Sequence, residues 1–518
     1  MMSRHDNDPD HPDSVANPTR RRLLQAAGLA SAGGLAGALL PGSAAASSRQ
    51  ASASDGATAP QAPHGEADYT VRIDTGSIEV APGRIVSTTT YNGQFPGPLL
   101  RFKEGRQTVV DIHNNTDIPE QLHWHGQFVP PYIDGVAEER TPFLTPHDMR
   151  REVFTPGPSG LRFYHSHIRA GNDLGRGTYS GQAGPVYIEP KNEPGNYDRE
   201  VFLTLKEFEP FFSRGGDVAH SFLPASGVNP KLKTRGEAAM KASLAQGHEK
   251  GYEVGYRLFT VNGKMLGHGE PVRVKRGERV LFHVLNASAT EIRSLALPGH
   301  QFQVVSLDGN PVPNPAKVPV LWLGTAERIS AIVEMTEPGV WIMGDLSDED
   351  RGNGMGIVVE YAGAQGKPQW KKPPHALWDY RNFAKSGATP TTPDEVIDLT
   401  FSKENAAYHG FNLWPVNGNA YDWQAKPVTR QLTLGKRYRL RMHNAADDIH
   451  PIHLHRNSFE ITHFAGQATA GVTKDVVMLG GYQSMAIDFT ANHPGLTLFH
   501  CHQQLHMDYG FMSLFEIV

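Results

Sequence analysis

The sequence predicts an all-β protein built from three tandem β-sandwich domains with Greek-key connections. Three observations carry this. Gly 53 and Pro 38 in 518 residues favour many turns and short strands over long helices. Runs of alternating apolar and polar residues, bounded by turn residues, recur along the chain as half-buried strands do. The pattern also occurs three times. Tyr91-Asn92-Gly93, Val261-Asn262-Gly263 and Val416-Asn417-Gly418 open the three units. Each opener leads into strand-like stretches, Leu99 to Asn114, Val272 to Asn286 and Val428 to Asn444, divided by Gly105, Gly277 and Gly435. The units close alike, at Gly160 to Tyr164, Gly339 to Met343 and Gly495 to Phe499. A repeat of this length is domain duplication, because solenoid units are shorter.

In chain order, residues 1–46 read as an export signal of the twin-arginine type. Arg20-Arg21-Arg22 precede a weakly apolar stretch from Ala26 to Leu40, and Ala44-Ala45-Ala46 offer a small-residue cleavage site. A membrane anchor is the competing reading, but the stretch is short and rich in Gly and Ala, so stable membrane insertion is not expected. Residues 47–67 read as a disordered linker. The first domain is expected at 68–190, the second at 198–362, a connector at 363–392 and the third domain at 393–518. The expected location is periplasmic or secreted. A hydrophobic fraction of 39% and a charged fraction of 20% suit a soluble globular protein. The net charge of -5, without a basic stripe, excludes nucleic acid as a partner. Cys501 is the one cysteine, so no intramolecular disulfide is possible, and it lies between His500 and His502.

Histidines occupy matched places in the repeats. Unit one carries His123-Trp124-His125 and His165-Ser166-His167; unit three carries His453-Leu454-His455 and His500-Cys501-His502. At the same places unit two has Leu295-Ala296-Leu297 and Gly344-Asp345-Leu346. In a His-x-His pair on a strand both side chains share one face. Four pairs from two domains can therefore converge on one cavity, with unit two as spacer and wall. Imidazole suits copper, zinc, iron and nickel. His450 and His506 fall outside the pairs and, with Cys501, supply a trigonal His2Cys set suited to copper. Isolated histidines, His113, His147, His268, His283, His300, His443, His463 and His493, read as ordinary structural residues.

These motifs, His123-x-His125-Gly126, His165-x-His167, His450-x-x-His453-x-His455 and His500-Cys501-His502-x3-His506, resemble those of the multicopper oxidases, laccase-like proteins of three cupredoxin domains. The resemblance spans about residues 68 to 518. It implies four copper ions. His450, Cys501 and His506 would bind the type 1 copper, His123 and His453 the type 2 copper, and His125, His165, His167, His455, His500 and His502 the type 3 pair. It further implies single-electron oxidation of a reductant at type 1 and reduction of dioxygen to water at the other coppers. Phe511 holds the family's axial position; unable to coordinate, it should favour Cu(I) and raise the potential. Met512 is off by one and is expected on the other side of the strand. Oxygen reduction consumes protons, so acids are expected nearby. Asp134 resembles the family's carboxylate near type 2, although a turn aspartate before Gly135 is an equal reading, and Asp508 falls where some laccases carry a glutamate.

Phenols or aromatic amines are the leading reductants. The alternative is a metal oxidase acting on Cu(I) or Fe(II) in copper tolerance. The 13 Met do not cluster, which argues against dedicated Cu(I) capture; Asp447 and Asp448 are candidate Fe(II) carboxylates. Two segments could shape the mouth: Pro210 to Glu253, with a helix at Gly236 to Gln246, and Ala362 to Glu395, with Trp370, Trp378 and Tyr380. A cupredoxin scaffold without enzymatic activity would lack ligands, and a copper nitrite reductase would lack the additional pairs.

Overall fold

The computed structural model describes residues 65–191, 196–214 and 222–518. The proposed signal and most of the proposed linker lie outside them. The strand-rich expectation holds, and each unit holds two main sheets, the third adding a two-stranded ribbon of Glu404–Tyr408 and Phe411–Leu413. In the first, a sheet ordered Arg84–Tyr91, Tyr69–Ala81, Thr108–Asn114, Met149–Phe154 accompanies one ordered Leu100–Lys103, Ala183–Glu189, Gly160–His165, His123–His125. The middle unit has a six-stranded and a five-stranded sheet, and so does the third. Thr108–Asn114 alternates buried and half-buried residues without a break, as a strand with one core face must.

The repeated openers are hairpin turns. Asn92, Asn262 and Asn417 have φ of 55°, 52° and 51°, and the glycine after each is also at positive φ. Two successive left-handed residues define the I′ turn that matches strand twist, and Asn-Gly is its preferred pair. Each asparagine side chain also stitches the unit's first strand: Asn92 Oδ1 accepts from Arg72 N, Asn262 Oδ1 from Thr204 N and Asn417 Oδ1 from Thr400 N. A second repeated asparagine fixes the corner before each histidine position. Asn114 Nδ2 donates to Leu144 O, Asn286 Nδ2 to Leu323 O, and Asn444 Nδ2 to both Asp448 O and Gly480 O.

One expectation changes. The helix runs Pro230–Ala245, beginning six residues before Gly236. Asn229 Oδ1 caps Lys231 N at 3.0 Å and Pro230 takes the first helical position, where its missing N–H costs nothing. Within the expected connector Trp378, Tyr380 and Phe383 are buried, and Tyr380 donates to Glu327 at 2.7 Å. No described helix is long and apolar enough to cross a membrane.

Candidate metal centre

Strands His450–Leu454 and Gly495–Cys501 pair antiparallel, with Ile452 opposite Cys501 and His453 opposite His500. This register, with the short helix Gln504–Asp508 that follows, brings His450, Cys501 and His506 together. His450 Nδ1 lies 3.0 Å from His506 Nδ1; Cys501 Sγ lies 3.6 Å from the first and 3.4 Å from the second. A point equidistant from all three is about 2 Å from each, the range of metal–nitrogen and metal–sulfur bonds. All three residues are fully buried. Burial brings His450 down to about 4 and pushes the Cys501 thiol up, so a metal cation must displace the thiol proton to bind. The walls are aromatic. The Phe511 ring is 4.7 Å from that of His450, Phe401 stands 4.5 Å from Phe511, and Trp414 lies 4.1 Å from His506. Met512 packs elsewhere, with Val136, Leu496 and Leu514, as the strand alternation requires.

The four histidine pairs converge on a second site. Their eight rings are at most 5% exposed. One group forms around His125, His165 and His502: His165 Nε2 is 3.4 Å from His125 Nδ1, and the His502 ring is 5.0 Å from that of His165. Another forms around His167, His455 and His500, with His455 Nε2 2.9 Å from His500 Nε2. His123 and His453 complete the set, their rings 6.2 Å apart. In His123, His165, His453 and His500 the Nδ1 atom is 2.7–2.8 Å from a main-chain carbonyl, which places the proton on Nδ1 and turns the Nε2 lone pair inward. His123 Nε2, His453 Nε2 and both nitrogens of His167 and His502 have no hydrogen-bond partner. Burial holds the rings of His125, His165, His167, His453, His455 and His502 well below the usual imidazole range, and brings His500 down to about 3. Neutral buried imidazoles with unpaired lone pairs aimed at one another are costly unless cations sit among them. The donor set therefore fits copper at both sites.

Carboxylates border the histidine cluster and not the cysteine. Asp134 Oδ2 is 3.0 Å from His455 Nδ1 and 3.2 Å from His123 Nδ1, so it touches one histidine from each outer domain. Asp508 accepts from Gly171 N at 2.6 Å, Ala170 N at 3.0 Å and Gln504 Nε2 at 2.8 Å, and burial brings it up to about 7. It is thus tied to the loop after His167. Three further residues at the cluster carry little or no sequence signal. Glu139 accepts from Leu498 N at 2.6 Å, lies 3.4 Å from His455 Nδ1, and is pushed well above the carboxylate range by burial and then by the Asp134 charge. Asp475 Oδ1 is 3.2 Å from His125 Nε2, and Arg328 pairs with Asp475. The signal for Asp475 is the Lys474-Asp475 pair entering the apolar run Val476 to Leu479; Glu139, in a Glu-Glu-Arg turn, gives none.

A cavity of about 530 Å³ lies between the helix Pro230–Ala245 and the third domain, lined among others by Arg235, Met240, Lys403, Asp447 and Tyr482. A Cβ on Gly236 would stand 2.3 Å from Ala445 O, so the helix seats directly on the loop leading to His450. Lys403 Nζ bonds Asp447 and Asp448 at 2.6 Å each, and Asp448 accepts from Trp414 Nε1 at 2.8 Å. Hydrogen bonds and one ring contact thus connect the cavity floor to His506. A second, small cavity of about 10 Å³ beside His165 and His502 is walled mainly by apolar groups, Phe163, Ala183, Ala287 and Ala326, with Thr178, Gln182 and Ser288 among its polar neighbours.

Residues 72–193, 235–362 and 389–518 each match a family model described as multicopper oxidase. The chain is similar to multicopper oxidase MmcO of Mycobacterium tuberculosis, 28% identical over 457 residues that cover 86% of this chain and 85% of that protein. It is similar to Laccase-4 of Thanatephorus cucumeris, 25% identical over 493 residues, 83% of this chain and 86% of that one. Among solved structures it matches Fet3p, described as a multicopper oxidase that functions in iron import, with a TM-score of 0.68 over 87% of this chain and 90% of that one. At 17% identity that likeness is one of fold, and the fold is cupredoxin-like.

Proposed function

The chain belongs to the multicopper oxidase family, and on that premise we propose that it is a laccase-type oxidase of small phenols or aromatic amines that passes electrons to dioxygen and yields water. The proposed load is four coppers, with His450, Cys501 and His506 holding type 1, His123 and His453 type 2, and His125, His165, His502 and His167, His455, His500 the two halves of type 3. When bound, copper supplies one-electron redox chemistry at the first site and dioxygen reduction at the second.

The chain's own residues do the rest. The cavity binds the reductant; its volume is that of small-molecule sites. Trp414, whose ring lies tilted against that of His506 and whose Nε1 donates to Asp448, couples the cavity floor to the type 1 ligands. Cys501 joins that set to His500 and His502 through adjacent residues. Asp134, against His123 and His455, and Asp508, behind the His167 loop, are the groups assigned to hold protons for oxygen reduction. The small cavity beside His165 and His502 offers room for one water, or for dioxygen in its place.

One observation favours an organic reductant over Fe(II): Lys403 bonds both Asp447 and Asp448, so its ammonium already occupies the place between these carboxylates that a metal cation would take. Export through the twin-arginine route to the periplasm or beyond, argued from residues 1–46, is part of the proposal. The test is oxygen uptake by the copper-loaded protein with a phenol, Cu(I) and Fe(II) side by side. The phenol is expected to give the largest kcat/KM; a dominant kcat/KM for either metal ion would replace the laccase reading.

A further inference from the structure

The middle domain carries none of the histidine pairs, yet one of its buried ions reaches the cluster. Arg328, fully buried at the start of strand Arg328–Glu334, forms a two-pronged pair with Asp475: Nη1 to Oδ1 and Nη2 to Oδ2, both 2.6 Å. Its remaining donors meet main-chain carbonyls, Nη1 at Ala326 (2.9 Å), Nε at Leu161 (3.3 Å) and Nη2 at Asp308 (3.3 Å). Arg162 of the first domain adds a contact to Asp475 Oδ2 at 3.0 Å, and Asp475 N donates to Asp308 Oδ2 at 3.2 Å. The first and second domains therefore fix the Asp475 carboxylate of the third.

On its other side Asp475 addresses two cluster histidines. Its Oδ1 is 3.2 Å from His125 Nε2, and its main-chain oxygen is 2.7 Å from His453 Nδ1. A carboxylate paired with a guanidinium only accepts, so the His125 proton sits on Nε2. That leaves Nδ1 as the lone-pair atom, and Nδ1 is the atom facing His165 Nε2. His123, His165, His453 and His500 are arranged oppositely, with Nδ1 bound to a carbonyl. The backbone leaves the clamp no slack: a Cβ on Gly126, at φ 77°, would lie 2.6 Å from Asp475 Oδ2 and 2.8 Å from Arg328 Nη2.

We propose that Arg328 is a positioning residue through which the middle domain sets the tautomer and ring orientation of His125, by way of Asp475, and so completes the histidine cluster. This rests on the copper reading of that cluster. Lysine at this place keeps a positive charge but cannot form the fork, and loss of a group that orients a metal ligand weakens metal affinity about 10- to 100-fold.

The test prepares Arg328→Lys and Arg328→Met as full-length copper-loaded proteins. Copper per chain, visible absorption and the electron paramagnetic resonance spectrum are compared with those of the unsubstituted protein. Expected are retained blue absorption from the Cys501 site, cluster copper titrating about 10- to 100-fold more weakly, and a changed resonance spectrum of the cluster copper. Wild-type cluster affinity and spectrum in Arg328→Lys would overturn the proposal. So would loss of the blue absorption together with the cluster copper, which marks a general folding role. If Arg328→Met does not fold, the lysine variant decides alone. Failure of the copper reading itself would appear as an unsubstituted protein whose cluster takes up no copper.

Discussion

Cys501 is flanked in sequence by cluster histidines, yet the two proposed centres have opposite surroundings. The cysteine site lies within the third domain and is walled by Phe401, Phe511 and Trp414; its nearby acid, Asp448, is tied to Lys403. The histidine cluster is shared between the first and third domains, bordered by Asp134, Glu139 and Asp475, and braced by Arg328 of the second. A dry, preorganised pocket suits a group that only gains and loses an electron. Carboxylates against imidazoles suit chemistry that consumes protons. A single step along one strand separates the two proposed centres, because alternation sends Cys501 to one face and His500 to the other, and the chain turns at His502 to return to the cluster.

The largest expected effect breaks one side alone. His165→Ala should reduce oxygen uptake to background while the blue absorption of the Cys501 site persists, read by oxygen electrode and visible spectroscopy on the same sample. Loss of both signals would mean that the centres are not separable. Next, Asp134→Asn should slow reoxidation by oxygen about 10²-fold or more and leave reduction of the Cys501 site unchanged in stopped-flow traces. Normal reoxidation would remove Asp134 from the proton-handling role.

Much of this contrast is legible in the sequence, for a physical reason. Histidine pairs at period-two spacing, and a lone cysteine between two of those histidines, are visible in sequence, and the Asn-Gly turns mark the repeat; His450 and His506, the latter on the helix Gln504–Asp508, fall outside that period. What is not legible comes from contacts between distant stretches. Lys403 reaches in from far upstream to bridge Asp447 and Asp448, which changes their meaning as metal-binding candidates. Arg328, Asp475 and Glu139 gain their roles only once three domains close around them. The helix begins earlier than expected because Asn229-Pro230 form a capped start that apolar patterning does not reveal.

Two smaller effects sharpen the comparison. Phe511→Met would put a thioether beside His450, stabilise Cu(II), and lower the type 1 potential by on the order of 60 mV, a tenfold change in a one-electron equilibrium. Redox titration reads this directly, and an unchanged or higher value counts against Phe511 as the axial residue. On the polar side, burial brings Glu152, which accepts from Trp124 Nε1 at 2.6 Å, up to about 7 from an ordinary 4.5. Between those values the folded copper-free protein holds a proton that the unfolded chain has lost, so this group makes stability fall as pH rises through that window. The fall is on the order of 3 kcal/mol, and Glu152→Gln should flatten it in denaturant titrations. A stability profile with the same slope in the variant would assign the pH dependence elsewhere.

Cys501→Ser asks whether one residue separates the proposed electron-accepting centre from the proposed oxygen-reducing one. Copper per chain and visible absorption are measured on the loaded wild type and the variant. The proposed assignment predicts a blue wild type with four coppers, and a colourless variant that lacks the type 1 copper, keeps the cluster copper and consumes no oxygen with a phenol. A colourless loaded wild type, or a variant that stays blue, would contradict it.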